Sequence, residues 1–372
     1  MANIKKLKEN TVKLVKLEDV CYNGSSSLSQ KDIIMLEGKY PVYGASGLIK
    51  YINFYKYDKE YIAIVKDGAG IGRTMILPAN SSVISTLQYI FPKENINIRY
   101  LYYALNAMDL SKYYSGVTIP HIYFKDYKKE ELYLPIIDEQ INIVNKLDKI
   151  REIIDIRKKQ IEELDELIKS QFVEMFQSGN YPREELGKLC DVRDGTHDSP
   201  KYLEESGYKF ITSKNIINNE IDFSEVKYIS KQDYDKFNTR SKVNYGDILM
   251  PMIGTIGKPM IVNIPDDEID FAIKNVALIK FLDNSQVTNI YIKNLLDSDY
   301  FENAILQNKR GGTQKFIALS DIRKMQIEIP PIELQNQFAD IVKQIDKQKF
   351  EIQKNLEEMQ KLQESLMNKY FG

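Results

Sequence analysis

Two glycine-rich turns are the first places in this chain where catalysis could be housed. Gly68, Gly70 and Gly72, within Tyr61 to Leu77 (YIAIVKDGAGIGRTMIL), resemble a dinucleotide or S-adenosylmethionine loop, and Gly254 to Lys258 resembles a phosphate-binding loop. That chemistry needs a helix N-terminus behind the glycines to receive the anion. Thr74-Met75-Ile76-Leu77-Pro78 reads as a strand instead, and the second turn is too short and lacks a Ser or Thr after Lys258. The only histidines, His121 and His197, lie in different halves of the chain. His197, in Asp194-Gly195-Thr196-His197-Asp198-Ser199-Pro200, has no nucleophile or ligand set beside it and reads as a hydrogen-bonding group in a polar turn. The Asn/Asp-Pro-Pro-aromatic pattern of base amino-methylation is absent, and Pro265-Asp266 is not followed by an acid-x-Lys pattern at nuclease spacing. No catalytic set and no metal-ligand set can be assembled.

What remains are polar loops of the kind that read base edges and phosphates, built from Asn, Gln, Arg, Lys, Ser and Thr. In the first half the candidates are Tyr43 and Ser46, Lys66, Arg73 and Tyr114. In the second half they are Thr196 and His197, then Ser213, Lys214 and Asn215, then Lys258, and finally Lys309, Arg310, Thr313 and Gln314. These candidates need rigid elements to hold them. Tyr61 to Leu77 and Gly246 to Val262 each read as a β-hairpin whose tight glycine turn presents one cation, Arg73 or Lys258.

Residues 116–176 recur as 311–371, 195 positions later and without a gap: Gly116, Thr118, Ile122, Pro135, Gln140 and Phe176 return as Gly311, Thr313, Ile317, Pro330, Gln335 and Phe371. A repeat this long means one structural unit used twice. Each copy runs into an apolar stripe of period 3.5, the pattern of a coiled coil. The first stripe runs through Ile143, Leu147, Ile150, Ile154, Ile161, Leu164 and Ile168. The second runs through Phe338, Val342, Ile345, Ile352, Leu356, Met359 and Leu366. Arg157, Gln171, Lys349 and Gln363 interrupt them, either to set register or to face a partner. Pro135 and Pro330-Pro331 fix the helix entries, and Asp138, Glu139 and Glu333 complement the dipole in the first turn. Each helix follows its own body, so the simplest pairing is antiparallel, with the bodies at opposite ends about a pseudo-two-fold axis. The expected boundaries are a first body at 1–136, a helix at 137–177, a second body at 178–331 and a second helix at 332–372. Two similar bodies on two similar helices suit a partner with two similar halves, and duplex DNA with two half-sites leads.

The bulk composition agrees with this plan. At 372 residues and 43% hydrophobic content, two or three cored domains are expected. Cys21 and Cys190 are the only cysteines, which suits a reducing cytoplasm, and no apolar stretch is long enough to span a membrane. Net charge is −2, which argues against indiscriminate nucleic-acid binding. The first 137 residues carry an excess of five positive charges and the rest an excess of seven negative ones. DNA binding therefore requires clustered cations or a partner that supplies phosphate contacts.

The order of these parts resembles the specificity subunit of type I restriction-modification systems over essentially the whole chain. The resemblance rests on YPVYGASG and KDGAGIG in the first body, DVRDGTHDSP, FITSKNI, GDIL and GTIG in the second, and GGTQKFIALSDIRKMQIEIPPIELQNQF at the join to the helix. It implies an α+β protein: two α/β target-recognition domains separated by two long antiparallel coiled-coil helices, each domain reading half of a bipartite DNA target. It implies no catalytic site and no cofactor in this chain. Its partners would be double-stranded DNA, two methyltransferase subunits that use S-adenosylmethionine, and two restriction subunits that use ATP and magnesium, all in the cytoplasm with no membrane. The two bodies differ in sequence, so the half-sites are expected to differ. The competing reading is a non-catalytic coiled-coil adaptor with two ligand-binding domains.

Overall fold

The computed structural model describes residues 13–116, 120–177, 179–204, 206–217, 219–253, 257–283, 285–298, 301 and 316–372. They form two compact units, Met1–Lys158 with Gln353–Gly372, and Lys159–Ile352. Each unit is a body completed by segments of both long helices.

The first body is built on Tyr61–Val65, whose five residues are all buried. Strand alternation sends successive side chains to opposite faces. Ile62 and Ile64 join Ile90, Tyr100 and Leu147 in one core. Tyr61, Ala63 and Val65 join Val42, Ile52 and Tyr89 in another. Both faces are covered, which is why the strand reads as an unbroken apolar run. It is central to a four-stranded antiparallel sheet ordered Cys21–Ser25, Leu87–Pro92, Tyr61–Val65, Thr74–Leu77. A three-stranded sheet ordered Gly47–Ile52, Tyr40–Gly44, Ser82–Val83 covers the second face, with one antiparallel and one parallel pairing.

The second body repeats this topology. Its four-stranded sheet is ordered Cys190–Asp194, Val276–Phe281, Ile248–Pro251, Met260–Ile261. Its three-stranded sheet is ordered Lys227–Ile229, Tyr208–Thr212, Phe271–Lys274, again with one antiparallel and one parallel pairing. Ile248 and Met250 face one core and Leu249 the other. The body also carries a helix, Lys231–Ser241, capped by the Ser230 hydroxyl, which accepts from the Asp233 amide at 3.1 Å. In each body a two-stranded antiparallel pair leads into the long helix: Lys13–Lys16 with Glu131–Leu134, and Arg183–Glu185 with Gln326–Glu328.

The long helices span Ile137–Phe176 and Ile332–Phe371. The stripe residues Leu147, Ile150, Ile154, Ile168, Val342, Ile345 and Leu356 are buried, while Ile161, Leu164, Ile352, Met359 and Leu366 are half-buried. In the first unit Arg157 bonds Asn355 at 3.1 Å, and Ile143 and Leu147 share a core with Leu366 and Tyr370. In the second unit Lys349 bonds Asp165 at 2.5 Å, and the Phe172 and Phe338 rings lie 5.5 Å apart. As residue number rises along one helix it falls along the other, so the pairing is antiparallel in both units. Two of the polar interruptions in the stripe, Arg157 and Lys349, make these cross-helix bonds.

The helices also finish the cores. Phe176, which ends the first helix, packs 4.9 Å from Tyr291 of the second body. Its repeat partner Phe371 packs 5.1 Å from Tyr100 of the first body. Truncating a core phenylalanine removes transfer energy and leaves a cavity. Phe176→Ala should cost about 3–5 kcal/mol in a denaturant titration, with the second body losing protection from amide exchange first.

Both cysteines are buried, and burial pushes each thiol up to about 12. Thiolate is the reactive form. Neither cysteine should react with a thiol-specific reagent at neutral pH until the protein is unfolded, when both should react; a readily labelled native protein would contradict the packing.

Candidate nucleic-acid interface

In the first body three loops converge. The Tyr40–Gly44 and Gly47–Ile52 hairpin turns at Gly47, whose φ of +107° suits glycine and leaves Ser46 exposed beside it. The Tyr61–Val65 and Thr74–Leu77 hairpin closes with Gly72 donating to the Val65 carbonyl at 2.9 Å. Its connection is not the tight turn expected: it runs from Lys66 to Arg73, with Gly68, Gly70 and Gly72 all at positive φ. Arg73 donates its guanidinium to the Ala45 carbonyl and so ties one hairpin tip to the other. Tyr43 is half-buried near Tyr51, and desolvation raises its phenol above the usual range.

The third loop enters through a histidine. His121 Nδ1 lies 2.6 Å from Asp67 Oδ1, and Asp67 also pairs with Lys66 at 3.6 Å. Backbone bonds reinforce the junction: the Gly68 amide donates to the Pro120 carbonyl at 3.0 Å and the Ile122 amide to the Lys66 carbonyl at 2.9 Å. Ser115 and His121 pair through two backbone bonds of 2.8 Å, which sets the exposed Tyr114 next to this ladder. Tyr43, Ser46, Lys66, Arg73 and Tyr114 therefore belong to one loop cluster. The Asp67–His121 contact that organises it joins residues 54 apart in sequence, and no local pattern signals it.

In the second body His197 is the hub. Its Nε2 lies 2.9 Å from Asp194 Oδ2 and its Nδ1 2.7 Å from Asn275 Oδ1. Asp194 is buried and also pairs with Arg240. Asn275 adopts φ +54°, and its carbonyl accepts from the Ser213 hydroxyl at 3.3 Å. Thr196 uses its hydroxyl to accept the Asp198 amide at 3.0 Å. Asp198 in turn is held below the usual carboxylate range by its hydrogen bond to Lys236. A cavity of about 250 Å³ opens among Asp194, His197, Asn275, Met252, Ile253 and Phe316. Lys214 and Lys258 are exposed.

Asn215 is a different case. It is buried, its Oδ1 accepts from the Thr212 amide at 3.0 Å and hydroxyl at 2.9 Å, and its Nδ2 donates to the Asp222 carbonyl at 3.2 Å. Its role is to cap the Ser213–Asn215 turn, not to face a ligand. Lys309, Arg310, Thr313 and Gln314 lie outside the described residues. Among the described residues no cluster of three or more His, Cys, Asp and Glu is placed to hold a metal ion, and no helix is long and apolar enough to cross a membrane.

The bodies differ at one matched position. The bridge between Asp67 and His121 corresponds, 195 residues later on the His121 side, to the bridge between Ile253 and Phe316. A polar pair in one body is an apolar pair in the other, on the same scaffold.

Comparison with known proteins decides the family. The model for the type I restriction modification DNA specificity domain matches residues 9–166 and 181–361, once for each body. The chain belongs to this type I specificity family. It is similar to the type I restriction enzyme MjaVIII specificity subunit of Methanocaldococcus jannaschii, 24% identical over 367 residues and covering 90% of this chain and 85% of that protein. It is also similar to the Escherichia coli EcoBI specificity subunit, 22% identical over 295 residues, covering 68% and 60% respectively. The solved S subunit of a type I system from M. genitalium has the same fold, with a TM-score of 0.63 at 16% identity and 98% of each chain covered. A chain from a study of complex assembly and conformational transition in the type I R-M system superposes with a TM-score of 0.55 at 17% identity, over 97% of this chain and 98% of that one. The specificity subunit recognises DNA sequence in a restriction-modification system. It is not catalytic and has no cofactor of its own; methylation and cleavage belong to its partner subunits.

The loop geometry makes a local prediction. His121→Ala should speed amide exchange at Gly68 and Ile122 while lowering global stability by only about 0.5–1.5 kcal/mol, the worth of one hydrogen bond. Unchanged exchange at both amides would show that the histidine does not hold the turn.

Proposed function

We propose that each body reads one half of an asymmetric, bipartite duplex target and that the long helices set the unread gap between the halves. The observation that carries this reading is the matched pair of loop clusters: the same topology gathers corresponding loops twice, with Asp67–His121 in one body where the other has Ile253–Phe316. Equal scaffolds with unequal tips suit two different half-sites. The base-reading and phosphate-binding groups are Tyr43, Ser46, Lys66, Arg73 and Tyr114 in the first body, and Thr196, Ser213, Lys214 and Lys258 in the second, where His197, with both ring nitrogens bonded to Asp194 and Asn275, holds the loop in place. The stretch containing Lys309, Arg310, Thr313 and Gln314 joins the second set by sequence. The chain directs two methyltransferase subunits, which bring S-adenosylmethionine, to this target. With two restriction subunits, which bring ATP and magnesium, the same assembly cleaves, and the work is cytoplasmic.

The decisive experiment is to co-express the chain with its methyltransferase subunit and map methylated adenines across a genome by single-molecule sequencing. A split, asymmetric motif methylated on both strands is expected. A stable complex that adds no methylation would instead favour the adaptor reading.

The side-chain roles separate in a binding titration. Tyr114→Ala, at an exposed side chain, should cost about 1–3 kcal/mol on the cognate duplex and relax discrimination at one position of one half-site. Lys214→Ala should weaken all duplexes alike and reduce the salt slope by about one. If neither variant alters either affinity, the site assignment is wrong.

A further inference from the structure

Discriminating the gap between two half-sites demands a stiff joint between each body and its helix. One base pair more or less moves a half-site by about 3.4 Å and turns it by about a tenth of a helical turn. A body that swivelled on its helix would absorb that change. Each helix begins directly after a two-stranded pair, through Pro135 or through Pro330-Pro331, and the single chain crossing does not by itself fix an angle.

Two side chains close the joint, and both recur. Gln140, at the end of the first turn of the first helix, is fully buried. Its Nε2 donates to the Asn95 carbonyl at 3.2 Å and the Pro135 carbonyl at 2.8 Å, and its Oε1 accepts the Asn97 amide at 2.8 Å. Gln335 is equally buried, donates to the Gln286 and Pro330 carbonyls at 2.9 Å each, and accepts the Thr288 amide at 2.8 Å. Asn97 and Thr288 are the N-caps of Ile98–Ala107 and Asn289–Leu296, so each glutamine binds its helix to the capped end of a body helix. The second bolt is a tyrosine on that body helix. Tyr100 donates to the Tyr133 carbonyl at 2.7 Å and Tyr291 to the Glu328 carbonyl at 2.9 Å, both in the strand that leads into the long helix. Phe371 and Phe176 pack on these same two tyrosine rings.

A buried amide gains little net stability over an apolar side chain of similar size, because its hydrogen bonds replace bonds to water. What it adds is direction: three bonds of fixed geometry hold one orientation, where an apolar contact can slide. We propose that Gln140 and Gln335, with Tyr100 and Tyr291, are positioning residues that lock each body at a set angle on its helix and thereby give the protein its selectivity for the gap. The inference rests on the bipartite reading above, and its test has an arm that does not.

In the first arm the free full-length chain carries spin labels on cysteines introduced at Asn53, in the first body, and Lys149, on the helix of the same unit. Both positions are exposed, and both native cysteines are buried. Pulsed electron resonance should give a narrow distance distribution that broadens in Gln140→Met. In the second arm, duplexes with fixed half-sites and gaps one base pair shorter or longer are titrated against the chain. Gln140→Met and Gln335→Met should flatten the gap preference by about five-fold or more while holding half-site affinity within about two-fold, since loss of geometry removes only the benefit of simultaneous engagement. Tyr100→Phe, which removes one hydroxyl, carries both readouts if the glutamine variant does not fold. An unchanged distance distribution in a folded variant overturns the proposal. So does a uniform loss of affinity across all gaps with the preference intact. A wild-type chain with no gap preference would sink the bipartite reading, and the labelled pair would still judge the joint.

Discussion

The structure depends on one constraint: neither body can close its core from its own stretch of sequence. The first body ends near Leu134, yet its core is finished by Leu366, Met367, Tyr370 and Phe371, more than 200 residues later. The second body is finished by Ile168, Phe172 and Phe176 of the helix that precedes it and by Phe338, Val342 and Ile345 of the helix that follows. Burial of these side chains joins the far end of the second helix to the first body and the near ends of both helices to the second. The helices are therefore structural parts of both bodies and not tethers between them.

That arrangement accounts for the polar groups in the helices. Arg157 with Asn355 and Lys349 with Asp165 are cross-helix contacts at positions where an apolar side chain would have continued the stripe. Each is partly exposed, so each contributes little stability. Their effect is on register, since an uninterrupted apolar stripe tolerates a shift that would break these bonds. Gln140 and Gln335 serve a similar end at the joints, where direction matters more than binding energy.

The loop clusters follow from the same rigidity. Strands buried on both faces, such as Tyr61–Val65 and Ile248–Pro251, hold their ends still. Loops that protrude from such strands can differ without cost to the core. The exchange of Asp67–His121 for Ile253–Phe316 is one instance: the backbone bridge is kept and the chemistry at it is changed.

The repeat, the two helices and their antiparallel sense, the buried hairpin strands and the family were all legible in the amino-acid sequence. The repeat is written in direct self-similarity and the helices and strands in local periodicity, since period 3.5 or an unbroken apolar run reports burial wherever it occurs; the antiparallel sense follows from each helix trailing its own body, and the family from an order of motifs that resembles it. The hubs of the loop clusters were not legible. His121 with Asp67 and His197 with Asn275 are contacts between residues far apart in the chain, and polar residues in turns look alike until their partners are known. Asn215 shows the difference: its residue type suited base reading, and its burial and three hydrogen bonds make it a cap. The sequence by itself determined the plan of two bodies on two paired helices, because repeat and periodicity survive without knowledge of contacts. Only the tertiary structure decided which polar groups are consumed in holding loops and joints together and which remain exposed to meet DNA, because hydrogen-bond satisfaction is a property of neighbours in space.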